Sequence, residues 1–266
     1  MPRFFLAVCW VLLLACDDSN QQVVSIVLED ATPEQQGTIG DALQRATDAE
    51  FNILDRSDPE YETLYAYLNA HLRALVVHPV TQRRDLYAWD VTVVHNDTLR
   101  TAWTLPGGHL YVTSGLFRYL RDETELVALL AHELHYADSD VAVNKLIGTK
   151  AIGGARLGDL LLGQTPDDLP NVVRTIAELE FDEGDVLNAD ARAIRTVCPL
   201  NYRTTGLWNL LERALDPESS AELVWFDTRP ADPQARYAQL EVEMAQCDPG
   251  GLENAFPYER FLAMLP

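Results

Sequence analysis

The chain has little positive charge. It contains 20 lysine and arginine residues against 41 aspartate and glutamate residues, which gives a formal net charge of −21 at pH 7. Such a balance repels the phosphate backbone of nucleic acids and the headgroups of anionic lipids. Nucleic acid is therefore excluded as a partner. The surplus of acid either keeps an exported protein soluble or forms an acidic interaction surface.

Internal repeats and extended low-complexity runs are also missing. The 266 residues, of which 47% are hydrophobic, are enough to build one substantial hydrophobic core. We therefore predict a single globular domain over residues 23–266.

The N-terminal apolar run is too short for a transmembrane helix. The run Phe4–Ala15 follows Arg3 and has fewer than the roughly 20 apolar residues that a membrane-spanning helix needs. A basic residue, a short apolar run and then polar residues are the layout of a secretory signal. We predict a signal peptide at residues 1–15 and export of the mature protein.

The residues before Cys16 indicate a lipid anchor. The sequence Leu13-Leu14-Ala15-Cys16 resembles a bacterial lipobox, in which the cysteine is lipidated after cleavage. This predicts a lipidated tether at residues 16–22 and a membrane-anchored protein on the periplasmic side of the bacterial cell envelope. The alternative is an ordinary cleaved signal in which Cys16 has no role.

Cysteine is scarce, and no CxxC spacing is present. Loss of Cys9 with the signal and lipidation of Cys16 would leave Cys198 and Cys247. In an oxidising compartment such a pair is more typical of a structural disulfide than of a metal or redox site. We predict that these two residues are bonded to each other.

Hydrophobic patterning predicts an α+β fold that is mainly helical. Short alternating segments predict a small antiparallel sheet with strands at Trp89–Val94, Thr101–Thr104 and Leu110–Thr113, and a further strand at Val23–Leu28. Apolar residues at helical spacing predict helices at Pro33–Phe51, Glu60–Val77, Asp122–Val143, Val172–Leu179, Gly184–Val197, Tyr202–Ala214 and Pro233–Ala245.

The predicted helix Asp122–Val143 carries a degenerate HExxH motif. In HExxH the two histidines lie four residues apart on one helix face and bind one zinc ion, while the glutamate polarises the bound water. Here His132 and Glu133 are present, but Tyr136 stands at the position of the second histidine. His135 comes one residue too early.

The surrounding sequence, TAWTLPGGHLYVTSGLFRYLRDETELVALLAHELHYAD at residues 101–138, resembles a known family. A PGG turn, a V-x-x-GL helix start and an acidic run into HExxH occur in this order in HtpX-like and CAAX-prenyl-protease-like zinc metallopeptidases. The similarity covers roughly residues 61–240 and is greatest to the secreted lipoprotein branch. It implies a zincin-like metallopeptidase fold of the gluzincin type, a zinc cofactor and polypeptide substrates.

The resemblance also assigns roles to individual residues. It makes His132 the first zinc ligand and Glu133 the general base, both retained. The ExxxD element of the family falls on Val186 to Asp190, so that the third ligand is replaced by Val186 while the orienting Asp190 is kept. The histidine that assists the transition state in the family is replaced by Arg229.

Because a catalytic zinc normally has three protein ligands, one remaining imidazole is too few for zinc binding of the family's kind. Loss of the metal would leave the carboxylates of Glu133 and Asp190 without compensating charge. We therefore predict that the guanidinium of Arg229 partly fills the metal position and bonds Glu133.

A shifted metal site is the alternative. His132 and His135 share a helix face, and Asp185 precedes Val186 by one residue, so these three side chains, or a Tyr136 phenolate, could hold a metal. His109, beside the PGG turn, could join such a site, but we expect it to be an exposed strand residue.

Three functions are compatible with this sequence. The first, which we favour, is a pseudopeptidase without a cofactor that binds a peptide or protein at the membrane surface, in the old cleft beside strand Leu110–Thr113. The second is an active zinc metalloendopeptidase, in which Glu133 activates water and non-canonical ligands hold the zinc for proteolysis. The third is a structural lipoprotein without a ligand, which a filled pocket around Tyr136, Val186 and Arg229 would favour.

Overall fold

The structure is a computed structural model that describes residues 31–148, 159–160, 169–216, 223–227, 229, 231–247 and 255–266. The predicted signal peptide, Cys16 with its tether, and the predicted strand Val23–Leu28 lie outside these residues. Within the described ranges, no helix combines the length and the apolar character needed to cross a membrane.

The predicted α+β architecture with mainly helical content is confirmed. The strands are β1 (Asp90–Val94), β2 (Ala102–Leu105) and β3 (His109–Thr113). The helices are α1 (Pro33–Glu50), α2 (Glu62–Val76), α3 (Ser114–Tyr119), α4 (Glu123–Ala137), α5 (Val141–Gly148), α6 (Leu169–Ile176), α7 (Glu183–Val197), α8 (Gly206–Ala214), α9 (Val224–Asp227), α10 (Pro233–Met244) and α11 (Ala255–Leu262).

The sheet among the described residues is mixed, so the prediction of an antiparallel sheet is wrong for one of its two pairings. Strands β2 and β3 form an antiparallel hairpin through the PGG turn, where Gly107 and Gly108 have φ values of +83° and +90°. Strand β1 pairs in parallel with the other edge of β3. The loop after β1 passes the end of β3 so closely that a Cβ on Gly115 would lie 2.4 Å from the Leu99 carbonyl oxygen.

The predicted helix Asp122–Val143 is interrupted, because α4 ends at Ala137 and α5 begins at Val141. Asp138 is buried there and accepts hydrogen bonds from the backbone N–H groups of Gln82 (3.0 Å) and Arg83 (2.7 Å). Asp138 is the C-cap residue of this helix, and apolar periodicity alone does not reveal its contact with a distant segment.

Helix α4 lies at the centre of the molecule. It packs against α7, α8, α2 and the sheet, and each of its residues from Glu123 to Ala137 is buried. A helix that is covered on all sides has no solvent-facing stripe. The motif on its last two turns is therefore placed inside the protein.

Candidate functional site

His132 is fully buried and touches a polar group with each ring nitrogen. Its Nδ1 lies 2.9 Å from Oδ1 of Asp190 on α7, and its Nε2 lies 2.9 Å from the hydroxyl of Tyr136 one turn further along α4. Burial lowers the pKa of His132 and raises the pKa of the Tyr136 phenol. The neutral imidazole therefore carries its proton on Nδ1, facing Asp190, and its Nε2 accepts the Tyr136 O–H.

Glu133 is buried and has a donor for each carboxylate oxygen. Its Oε1 accepts from Nε1 of Trp225 and from Nη2 of Arg229, both at 2.7 Å, and its Oε2 accepts from the Thr104 hydroxyl at 2.9 Å. Burial alone would raise the pKa of Glu133, but the charge of Arg229 and these hydrogen bonds outweigh it, and the pKa is lowered. Glu133 is thus an ionised carboxylate that is buried and hydrogen-bonded by protein groups.

Arg229 lies where the sequence predicted, in contact with Glu133. Its side chain is buried, and its guanidinium carbon stands over the rings of Phe181 (4.7 Å), Tyr136 (5.3 Å) and Trp225 (5.6 Å). Aromatic faces stabilise a desolvated cation in this arrangement. The guanidinium is therefore held both by a carboxylate and by an aromatic cage.

A second buried arginine, which sequence reasoning missed, neutralises Asp190. Nε and Nη2 of Arg236 bond Oδ2 and Oδ1 of Asp190 at 2.7 and 2.9 Å, a bidentate pair between α10 and α7. The signal for it was present in the sequence. Arg236, Leu240 and Glu243 recur at helical spacing and form the buried face of α10.

Thr104 and Trp225 were also missed as partners of Glu133. Thr104 lies on β2 and Trp225 on α9. Neither belongs to the motif helix, and no spacing in the sequence connects them with Glu133.

Val186, at the position of the family's third zinc ligand, is surrounded by apolar side chains. Val186 is fully buried in an apolar cluster with Tyr136, Phe181 and neighbouring alanines. The ring of Phe181 stacks on Tyr136 with centroids 4.0 Å apart and planes 9° from parallel. The cavity beside Phe181 and Arg229 has a volume of about 10 Å³, no more than a single water molecule needs.

The end of α7 is joined covalently to the end of α10. Cys198 and Cys247 form a disulfide with Cα atoms 5.7 Å apart. It ties together the two helices that carry Asp190 and Arg236.

Comparison with known proteins places the motif helix in a described family. The model of peptidase family M48 matches residues 64–164 of the chain, which include β1 to β3 and α4. This part of the chain is similar to peptidase family M48. A further match, 30% identical over 98 residues, is to the mitochondrial metalloendopeptidase OMA1 of Schizosaccharomyces pombe. It covers 37% of this chain and 28% of that relative, so the chain spans only a minor part of the relative's length.

The residues present do not fit the zinc of family M48. The Nε2 lone pair that would bind a metal already accepts the Tyr136 hydroxyl, and Val186 offers no donor atom. The guanidinium of Arg229 adds a positive charge beside Glu133. Two guanidinium groups, of Arg229 and Arg236, balance the two carboxylates of Glu133 and Asp190, so that the site is compensated without a divalent cation.

The shifted ligand set is not assembled either. Within the part of the chain that the structure describes, no group of three or more histidine, cysteine, aspartate or glutamate side chains converges as a metal site. Burial and the charge of Arg192 lower the pKa of His135 to about 3, while Asp185 is half-buried and has its pKa raised by burial and by Asp182. A Tyr136 phenolate is disfavoured as well, because burial raises the pKa of its hydroxyl.

The prediction that a peptide binds beside strand Leu110–Thr113 is wrong, because this strand has no free edge. Strand β3 is the central strand of the sheet and is paired on both edges. The outer edge of β1 receives the Leu54 N–H at the Val93 carbonyl (3.0 Å), and the Arg229 guanidinium reaches the Ala102 carbonyl on the outer edge of β2 (3.4 Å). Local alternation predicted the strands but could not predict their order.

His109 is buried, so the expectation of an exposed strand residue is also wrong. Its Nδ1 lies 3.2 Å from Asp90 of β1 and its Nε2 3.1 Å from Asp41 of α1, which covers this end of the sheet. Burial would lower the pKa of His109, but the hydrogen bonds and charges of Asp90 and Asp41 outweigh it and raise the pKa above its ordinary value. His109 is part of the contact between α1 and the sheet.

We expect the stability that His109 contributes to depend on pH. Because its pKa is raised on folding, the contribution is complete below the unfolded value near 6.5 and is lost as the pH rises through the higher folded value. The variant His109→Gln should lack this loss. The measurement is the melting temperature of both proteins between about pH 5 and 9. Groups common to both proteins cancel in the difference, and a difference that stays constant with pH would contradict the assignment.

Proposed function

We propose that the chain is a pseudopeptidase of family M48, whose former zinc site has become a buried ion-pair network. The observation that carries the proposal is the pairing of both retained motif residues. The Tyr136 hydroxyl is hydrogen-bonded to Nε2 of His132, the nitrogen that would bind the metal, and the Arg229 guanidinium donates a hydrogen bond to the carboxylate of Glu133. A carboxylate that already accepts hydrogen bonds from a guanidinium, an indole N–H and a hydroxyl is a poor general base, because these donors stabilise its ionised form.

The electrostatics of the site support the same proposal. A buried carboxylate needs a compensating charge, and in a metallopeptidase the zinc ion is near enough to supply it. Here Arg229 and Arg236 supply two positive charges in fixed hydrogen-bonding geometry. Binding of zinc at this place would bring a divalent cation against a buried guanidinium, which costs free energy.

Polypeptide binding is the second part of the proposal. Polypeptides are the substrates of the peptidase family that residues 64–164 resemble, and a fold that no longer cleaves them can still bind them. The filled space around Tyr136, Val186 and Arg229 leaves the old cleft without room for a ligand. This outcome favours a structural lipoprotein over a protein that binds peptide in that cleft, and it leaves binding at another surface as the form in which peptide binding is proposed. We therefore expect the ligand to bind at another surface of the same domain.

The test is the zinc content of the purified full-length chain. After loading with zinc and removal of the excess, elemental analysis should find no zinc above a buffer blank, and chelator should not change the melting temperature. The matched control is the triple variant Tyr136→His, Val186→Glu, Arg229→His, which restores the family residues and should retain close to one zinc per chain.

A natural chain that retains stoichiometric zinc would overturn the proposal, whatever the triple variant does. The enzymatic alternative then has a direct check, since Glu133→Gln should abolish peptide cleavage by such a zinc-loaded chain. Under our proposal the natural chain cleaves no peptide, and Glu133→Gln changes only its stability.

A further inference from the structure

A groove at the end of the sheet beside the PGG turn is large enough for a ligand. It lies between α2 and the start of β1, has a volume of about 430 Å³, and falls in the size range of small-ligand sites. We call it the α2 groove. Leu72 and Val76 of α2 form its apolar part, Tyr87 and Trp89 add aromatic rings, and Asn69 and Arg73 are polar residues of the same helix. None of these residues belongs to the ion-pair network of the former zinc site.

Arg73 is the distinctive charge of the α2 groove. It is exposed, and within the described residues its guanidinium makes no ion pair or hydrogen bond. The other cation of the groove, Arg56, is already paired with Asp90 at 2.8 Å. The groove therefore offers a single guanidinium to an incoming anion.

Apolar surface surrounds this cation. Tyr87 and Trp89 lie with ring centroids 5.6 Å apart. Leu72 and Val76 line the same groove. Walls of aromatic and aliphatic side chains suit an apolar group of a ligand.

We propose that the α2 groove binds the C-terminal end of a polypeptide, with Arg73 pairing the terminal carboxylate. This rests on the proposed polypeptide-binding function. A guanidinium pairs a carboxylate through two parallel hydrogen bonds, the side-chain amide of Asn69 suits the last peptide group, and the apolar and aromatic walls suit an apolar last side chain.

Charge selects a chain terminus over an acidic segment. The protein has a net charge of −21, and Asp90 lies in the groove itself, so a ligand with several carboxylates would be repelled. One carboxylate on an otherwise apolar peptide end matches one available guanidinium.

The experiment compares two forms of one peptide. A pentapeptide with four alanines and a C-terminal phenylalanine is titrated into the full-length chain by calorimetry, once as the free acid and once as the C-terminal amide. The free acid should bind, and the amide should bind at least about tenfold more weakly, as expected for loss of a charge-assisted hydrogen bond. The variant Arg73→Gln should bind the acid as weakly as the amide.

The control is Arg84→Gln, which removes an exposed arginine that is paired with Asp85 outside the groove. It should leave both affinities unchanged. Three results would overturn the proposal: no binding of the acid up to about 1 mM, equal binding of acid and amide, or an equal loss in both variants. An amidated peptide with an internal glutamate that binds as well as the acid would also overturn it, in favour of an acidic segment.

The result is separable from that of the zinc measurement. A chain that retains zinc but binds the free acid through Arg73 would refute the pseudopeptidase proposal and support the proposed peptide site. A chain that retains no zinc and does not bind the peptide would support the pseudopeptidase proposal and refute the peptide site.

Discussion

The variant Arg236→Met should lose about 3–5 kcal/mol of unfolding free energy, the usual cost of removing one partner from a buried ion pair. The methionine has similar length but leaves the buried carboxylate of Asp190 without its bidentate partner between α10 and α7. The measurement is urea unfolding followed by circular dichroism. Its midpoint should fall well below that of the natural chain.

Two further variants identify the cause of that loss. Arg118→Met breaks a pair with Asp97 in which both side chains are more than a third exposed, so it should cost no more than about 1 kcal/mol. The double variant Arg236→Met, Asp190→Asn removes the unpaired charge and should be more stable than Arg236→Met alone. If Arg236→Met unfolds like Arg118→Met, or if the second substitution recovers nothing, the charge compensation that we describe is wrong.

Replacing both Cys198 and Cys247 by serine should cost about 2–4 kcal/mol. The bond joins residues separated by 49 positions, and opening a closed loop of that size gives the unfolded chain more conformations. It also frees the ends of α7 and α10 from each other. The measurement is again the urea midpoint, with and without reductant.

Reductant supplies the control for this pair. It should lower the midpoint of the natural chain to that of the serine variant and leave the variant itself unchanged. A natural chain that is insensitive to complete reduction would show that the cross-link contributes nothing to its stability.

The sequence predicted a contact of the site when both of its residues occupy motif positions of the family. Glu133 and Arg229 were paired in advance because both occupy family positions, and a lost divalent charge requires a cation. Arg236 was missed because it does not occupy a motif position of the family. Its partner Asp190 lies on another helix, and only the buried face of α10 hinted at the contact.

Long-range packing decided the features of the fold that were wrong. Alternation located β1, β2 and β3, but the parallel pairing of β1 depends on where the loop after it passes the end of β3. His109 is buried because α1 packs over the PGG turn, where a Cβ on Gly40 would lie 1.8 Å from the Pro106 carbonyl oxygen. Neither the parallel pairing of β1 nor the burial of His109 can be predicted from the neighbouring residues in the sequence.

Under the proposed function, the mutual pairing around Glu133 and Asp190 makes the loss of zinc binding hard to reverse. Val186→Glu alone would bring a third carboxylate into a sealed site that holds two guanidinium groups. Arg229→His alone would take one guanidinium from Glu133, and Tyr136→His alone would remove the ring that stacks on Phe181. Under the proposed function, each single substitution toward the family residue lowers stability before any metal can bind, so a return to zinc binding needs several simultaneous changes.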